Sequence, residues 1–554
     1  MKNIKRLFTT AFCFLLFLTF STTQVNAQDE LNHKPKLVVG IIVDQMRWDY
    51  LTRYNDRYCE GGFKRMMKEG YNCNRLLMNY VPTVTAVGHA AVYTGSVPAY
   101  TGIISNTMYF DGKWETPVRD WSVEPVGTVN DEGKASPHRL IPTTMTDELR
   151  LATNFRSKVI SVSIKDRGSI IPGGHCANAA YWMDSKTMDM ISSSYYMKEL
   201  PQWVKSFNNK GLGQIYTDKT TKNKRVKGQF WDLLYSAKSY KQSTPNLNED
   251  YYDQRTGTIL KYSPYGNTFT ADFAIAALEG ERLGRNPENV TDFLCISFSC
   301  SDMVGHKVGP NAIWIEDLYL RLDQDFKRLF DALDREVGKG EWVAFLSADH
   351  AGSHSVEFRN EHGIPSATWA YGRVTPALND SLKKRYNFSN DIVNRVESQN
   401  VYLNDSLINV ERKASKTEII DYLISVLLKM DNVAYAFNVK NIPSYIPEPV
   451  RTMAINGHHP KRSGDIVVIP EVGTTDDYDD GVNKNWKGIP LGTNHSMWSP
   501  EDAHIPFVIM GKNVRHAWDN HSYTVNDIAP TICALLDIEQ PSACIGNAID
   551  IREK

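Results

Sequence analysis

No two cysteines in this 554-residue chain stand two residues apart, and that absence excludes the thiolate zinc sites of finger-like modules. An excess of charge of either sign is also missing. Lys and Arg number 62 against 64 for Asp and Glu, so no polybasic footprint exists to hold nucleic acid or an anionic membrane surface. The patterns GxGxxG, GxxxxGK[ST], HExxH and GxSxG are absent. With them go the commoner dinucleotide, NTPase, metalloprotease and serine-esterase chemistries. Long apolar runs are confined to the N-terminus, where Lys2, Lys5 and Arg6 precede an uncharged stretch from Leu7 to Phe20 and then Val25-Asn26-Ala27. The stretch is shorter than the roughly 20 residues that cross a bilayer core. Residues 1–27 therefore read as a secretory signal peptide cleaved after Ala27. Cleavage removes three positive charges and leaves 59 basic against 64 acidic residues. The working protein is expected to be mildly acidic, periplasmic or secreted, and without stable membrane insertion.

What remains has an average soluble composition, 42% hydrophobic and 23% charged, which rules out disorder, collagen and coiled coil. The length exceeds one ordinary compact domain, so two domains or one large domain with insertions are expected. Seven cysteines outlast the signal, and an odd number leaves at least one unpaired or paired between chains. Cys59 with Cys73, and Cys533 with Cys544, are near enough in sequence to bridge in an oxidising compartment. Cys295 lies inside an apolar run and reads as a small buried hydrophobe.

Short β-branched apolar runs end abruptly in polar residues: Leu37 to Val43 before Asp44, Phe293 to Phe298 before Asp302, and Trp342 to Leu346 before Asp349. Such runs predict buried parallel strands. Between them Ile315, Leu318, Leu322, Phe326, Leu329, Leu333 and Val337 recur at steps of three and four, a helical pattern. Strand and helix alternate, so the class is α/β. Two stretches interrupt the alternation, about 176–260 and about 360–460, and read as insertions capping the sheet. No internal repeat is visible.

In an open α/β sheet, ligands bind beyond the carboxyl ends of the strands, where Asp44, Asp302, Asp349 and His350 fall. Asp302 and His306, four residues apart, can face one side of a helical turn and grip one metal. His495 in Gly492-Thr493-Asn494-His495 makes a third imidazole. Three carboxylates and three imidazoles exceed the needs of one tetrahedral zinc and suit two divalent ions, the clamp used in phosphoryl transfer. A nucleophile is supplied by Val81-Pro82-Thr83-Val84-Thr85, a turn opening an apolar helix from Ala86 to Tyr93. A threonine there is ordinarily a cap, yet its oxygen also sits at the positive end of the helix dipole. Lys165 and Arg167 follow the strand Val159 to Ile164. The acidic run Asp476 to Asp480 lacks the ligand spacing of a calcium loop and reads as solvated.

These residues resemble the threonine-nucleophile branch of the alkaline phosphatase superfamily, which contains the nucleotide pyrophosphatase/phosphodiesterases and the PafA-type phosphate-irrepressible alkaline phosphatases. The resemblance runs through Thr85, Gly88-His89, Tyr93 to Pro98, Gly102 to Asn106, Lys165-Asp166-Arg167, Asp302 to His306, Asp349-His350, Gly492 to His495 and Asp527 to Thr531. It implies an α/β/α sandwich with a mostly parallel central sheet and capping insertions, one catalytic domain over 28–554. It further implies two zinc ions per chain, one held by Asp302, His306 and His495, the other by Asp44, Asp349, His350 and the Thr85 oxygen. Asn106 would hydrogen-bond a phosphoryl oxygen, and Lys165 and Arg167 would contact the non-bridging oxygens of a monoester. Ala351 departs from the Asp-His-Gly of many relatives but carries no ligand atom. The implied activity is zinc-dependent alkaline phosphatase, hydrolysing small-molecule phosphate monoesters through a phosphothreonine; a monomer is compatible with it, and the sequence leaves the oligomeric state open. The alternatives are a phosphodiesterase or nucleotide pyrophosphatase, and then a silent metal-stabilised binding protein. A sulfatase would need a C/S-x-P-x-R motif that Thr85 does not stand in.

Overall fold

Ten strands build a central sheet in the computed structural model: β1 (Leu37–Val43), β2 (Tyr71–Leu77), β3 (Pro125–Val126), β4 (Val159–Ser163), β5 (Ala179–Met183), β6 (Met190–Ser193), β7 (Asp292–Phe298), β8 (Trp342–Ser347), β9 (His504–Gly511) and β10 (Ala517–Thr524). The structure describes residues 34–110, 112–221, 231–241, 259–369, 371–476 and 492–552. Residues 1–27, expected to be a signal peptide, parts of the 176–260 stretch and most of the acidic run lie outside the described residues. Strand order is β10-β2-β9-β8-β1-β7-β4-β5-β6-β3. From β8 to β5 the neighbours pair in parallel, while β9 and β6 run against theirs. β1, β7 and β8 are buried along their whole length, which suits apolar strands covered on both faces. The fold is of the α/β class that the alternation predicts, with the mostly parallel central sheet that the resemblance implies.

Among the helices that accompany the sheet are α1 (Thr85–Thr94), α2 (Asp166–Gly173), α3 (Cys300–Val308), α4 (Ile313–Leu333) and α5 (Ile528–Leu536). Ile315, Leu318, Leu322, Phe326, Leu329 and Leu333 form the buried stripe of α4. Val337 belongs instead to a wider π-helical turn, Asp334–Gly338, that ends the helix. Within 176–260, the buried Ala-Ala-Tyr-Trp-Met of β5 and the strand β6 join the central sheet, so that stretch departs from the sheet only after Ser193. The stretch around 360–460 carries more than a cover. Strands Val393–Glu397, Asn400–Leu403, Val433–Phe437 and Ile466–Pro470 form a separate antiparallel sheet. Helices Tyr371–Tyr386 and Lys416–Leu427 pack on it around a second apolar cluster that includes Leu378, Leu382, Val401, Ile419, Leu423 and Val468.

All seven cysteines beyond the signal are free thiols, so neither bridge suggested by proximity in sequence forms. The Cys59 backbone is held elsewhere, its N–H donating to Asp323 Oδ2 at 2.6 Å, while Cys73 is buried within β2. Cys295 is buried in β7 as expected. Among the described residues no helix is long and apolar enough to cross a membrane.

Candidate active site

Register brings the chemistry to one edge. Ile42 of β1 pairs with Ser347 of β8, and Val43 pairs with Phe298 of β7. Asp44, Asp349-His350 and the start of α3 therefore leave the sheet side by side, at the carboxyl ends of three adjacent parallel strands. α3 places Asp302 and His306 one turn apart, with His306 Nε2 3.0 Å from Asp302 Oδ1. His495 arrives from the loop before β9, its ring stacked on His350 at 3.7 Å between centroids.

Two groups of potential ligand atoms result, Asp302 with His306 and His495, and Asp44 with Asp349 and His350, each with all its atoms within 4.8 Å of one another. The histidine tautomers are set from behind. Nδ1–H of His306 donates to the Thr493 carbonyl at 2.9 Å, that of His350 to Ala351 at 2.9 Å, and that of His495 to Thr83 at 2.8 Å. Each ring thereby presents Nε2 to the carboxylates, the arrangement that orients a metal-binding imidazole. Asp44 Oδ1, Asp349 Oδ2 and His350 Nε2 are buried and have no hydrogen-bond partner among the described residues. Buried polar atoms are normally satisfied, so three convergent orphans of carboxylate and imidazole type fit a divalent cation.

The electrostatics point the same way. Burial, then the nearby charges of Asp44 and Asp302, push the Asp349 carboxyl well above the usual carboxylate range. Burial acts on Asp302 as well, yet His306 and Lys165 outweigh it and hold that carboxyl well below. Burial and then the neighbouring His350 keep His495 well below the ordinary histidine range, and His350 is lowered chiefly by burial. Three buried carboxylates this close leave one short of countercharge, the deficit a bound cation would make good.

Lys165 is built into this cluster. Its Nζ donates to Asp44 Oδ2 at 2.6 Å and to Asp302 Oδ2 at 2.7 Å, tying one carboxylate of each group together. Burial works against its charge, but Asp302 and Asp44 override it and raise its pKa. Arg167, on the first turn of α2, has only Asp166 within ion-pair distance among the described residues, at 3.4 Å, and its Nε is buried without a partner. Lys261 is a third cation near by. Burial, with Arg167 and Lys165, holds it below the usual lysine range against the pull of Glu132 and Asp166.

Thr85 is the buried first residue of α1, following Val84 in extended conformation. Its turn is clamped on both sides: the Thr83 carbonyl accepts from His495 Nδ1 and from the Ser496 N–H, and the helix rests on the Asp349 backbone at Gly88. An ideal Cβ on Gly88 would stand 1.9 Å from the Asp349 carbonyl oxygen, so only glycine permits this approach. His89 closes the turn, Nδ1–H donating to the Thr85 carbonyl at 2.8 Å and Nε2 accepting from Ser297 at 2.8 Å. Burial lowers its pKa to about 4, so it is a neutral support at ordinary pH. Asn106 Oδ1 accepts the Ala86 N–H at 2.9 Å; among the described residues its own N–H donors have no partner.

One participant escaped the sequence. Gln45, next to Asp44, donates Nε2–H to Asp302 Oδ1 at 2.8 Å and its backbone N–H to Asp349 Oδ1 at 3.2 Å. It adopts φ 61°, a left-handed conformation that costs a non-glycine residue on the order of 1 kcal/mol. Neither the turn nor a contact spanning 257 residues has a local signal.

Comparison with known proteins places these features in a family. The model of the type I phosphodiesterase / nucleotide pyrophosphatase family matches residues 38–493. The chain is 42% identical to the alkaline phosphatase PafA of Elizabethkingia meningoseptica, covering 93% of this chain and 94% of that one. It is 41% identical to a protein of Myroides odoratus named calcium-transporting ATPase, over 99% of both chains. The crystal structure of wild-type PafA superposes with a TM-score of 0.86 at 39% identity, covering 94% of this chain and 99% of that one.

Proposed function

The chain belongs to the type I phosphodiesterase / nucleotide pyrophosphatase family and, within it, stands with the PafA-type alkaline phosphatases; from that premise we propose an exported, two-zinc phosphomonoesterase that works through a phosphothreonine on Thr85. Residues 1–27 would direct export to the periplasm or medium, and 28–554 would act as one catalytic domain with the 176–260 and 360–460 stretches shaping access to it. Asp302, His306 and His495 would hold one ion, and Asp44, Asp349, His350 and the Thr85 oxygen the other. When bound, zinc would lower the pKa of a coordinated hydroxyl or water and neutralise charge on the phosphoryl and leaving oxygens.

This chain's own residues do the rest. Thr85 Oγ1 gives up its proton and attacks phosphorus in line as the bond to the ester oxygen breaks, and that oxygen takes up a proton and leaves as the alcohol; water then attacks the phosphothreonine, releasing inorganic phosphate and returning a proton to the Thr85 oxygen. Helix α1 sets the direction of attack, since Thr83 and Gly88 lock its first turn against the His495 and Asp349 loops. Asn106, its carbonyl fixed on Ala86, turns N–H donors toward a phosphoryl oxygen. Lys165 and Arg167 would meet the non-bridging oxygens, of which a monoester dianion offers more charge than a diester monoanion. The pair is what favours monoesters over the diesters in the family's description. ATP, suggested by the name of the Myroides relative, would meet the same site as a phosphoryl donor, since the chain has no Walker loop.

The observation that carries this reading is the set of three buried, unpartnered ligand atoms beside imidazoles whose tautomers are already set. Elemental analysis should find about two zinc ions per chain, and chelation should abolish hydrolysis of p-nitrophenyl phosphate. Thr85→Ala should lose most turnover and Thr85→Ser should keep a substantial part of it. Full activity with one ion, or near-native turnover by the alanine variant, would overturn the mechanism.

A further inference from the structure

Gln45 fits a socket made for it. The Asp302-bearing helix α3 passes so close that a Cβ on Gly305 would stand 2.0 Å from Gln45 Oε1, and a Cβ on Gly352 would stand 3.0 Å from Gln45 Cγ. Two glycines thus give up their side chains where a glutamine takes its place. The backbone is unfavourable for that glutamine, at φ 61°, a conformation glycine would adopt without penalty. A strained residue kept beside polar partners points to a use for its side chain. Here the use is visible. The amide donates to Asp302 of one ligand group and the adjacent backbone N–H to Asp349 of the other, both contacts buried.

We propose that Gln45 is a positioning residue for the metal centre, its side-chain amide aiming the Asp302 carboxylate while its backbone N–H meets Asp349 of the other group. The proposal rests on the two-metal reading of the site. Lys165 already binds Oδ2 of Asp302, and Gln45 binds Oδ1, so the carboxylate is gripped at both oxygens and cannot rotate. Its orientation toward His306 and His495 is then determined before an ion arrives. Hydrogen bonds from neighbouring residues to metal-binding carboxylates commonly govern affinity by ten- to a hundredfold.

Three variants of the full-length, zinc-loaded protein separate positioning from packing. Gln45→Glu keeps the size that the socket demands but replaces the donor with an acceptor facing Asp302. Gln45→Met keeps length without a donor. Gln45→Gly relieves the backbone and removes the amide. The readouts are the chelator concentration that strips half of the bound zinc and the rise in Tm that zinc confers over the same variant's metal-free form, a difference that cancels effects on the fold itself. All three variants should release zinc at roughly tenfold lower chelator concentration, with a smaller zinc-dependent rise in Tm, and Gln45→Glu should be the most sensitive. Wild-type chelator sensitivity in Gln45→Glu and Gln45→Met would overturn the proposal. A native protein that binds no zinc would instead overturn the two-metal reading, a result the untouched chain alone reveals.

Discussion

Lys165 and Arg167 hold different kinds of positive charge. A lysine is a compact point charge with three donors, and this one commits two of them to Asp44 and Asp302. An arginine can fork onto two oxygens, and Arg167 keeps a buried Nε without a partner. Removing both side chains should lower kcat/KM for a monoester far more than for a diester with the same leaving group. Each lost charge-assisted hydrogen bond costs roughly 1.5 to 3 kcal/mol, about one to two factors of ten. Parallel kinetics on a matched pair of esters check this, and equal losses would mean that the pair serves a shared contact. At this scale the two side-chain clusters were legible because Asp302 and His306 carry the i, i+4 signature of one helical face and Asp44 and Asp349 terminate obvious strands. Gln45 and Lys261 were not. Their significance depends on a backbone angle and on charges brought near only by folding.

Helix α1 illustrates what a single element contributes. It carries Thr85, the proposed nucleophile, yet its place is set by Gly88 against the Asp349 carbonyl, so the strand β8 and the helix have one permitted spacing. Gly88→Ala should push them apart, destabilising the protein by about 1–3 kcal/mol and lowering kcat more than it raises KM. Gly372, in the helix Tyr371–Tyr386, has open space where a Cβ would go, so Gly372→Ala should leave activity unchanged and stability equal or higher by roughly 0.5–1 kcal/mol. Thermal melts and steady-state kinetics on the two variants test the contrast. Fully buried strands such as β1 and β8 betray themselves as continuous apolar runs, and the stripe of α4 by its period. β5 did not, because Tyr and Trp within it mimic a surface stretch, and the end of α4 blurred because Val337 continues the period through a π-helical turn.

Across the whole molecule, the α/β class and the sheet edge that carries the site follow from strand and helix alternation, but the second core around Leu378 and Ile419 does not. Its strands are short and paired out of chain order, so nothing local distinguishes them from an irregular cover. The cysteines carry a similar lesson, since separation along the chain said nothing about where Cys59 and Cys73 point. Denatured protein should accordingly titrate with about seven thiols, and its migration should not change on reduction.

The proposed ligand residues begin at Asp44, immediately after the first strand, and end at His495, just ahead of the last two strands of the central sheet. No fragment released early from a ribosome contains a complete set for the Asp302 group, and the other set needs β1 beside β8, whose paired residues, such as Leu37 and Trp342, lie more than half of the chain apart. With the proposed ions, metal capture would be a late event in the life of the chain, a proofreading step that only a finished sheet could pass. During refolding from denaturant, tryptophan fluorescence should recover before a zinc indicator reports uptake, and added zinc should slow unfolding without speeding folding.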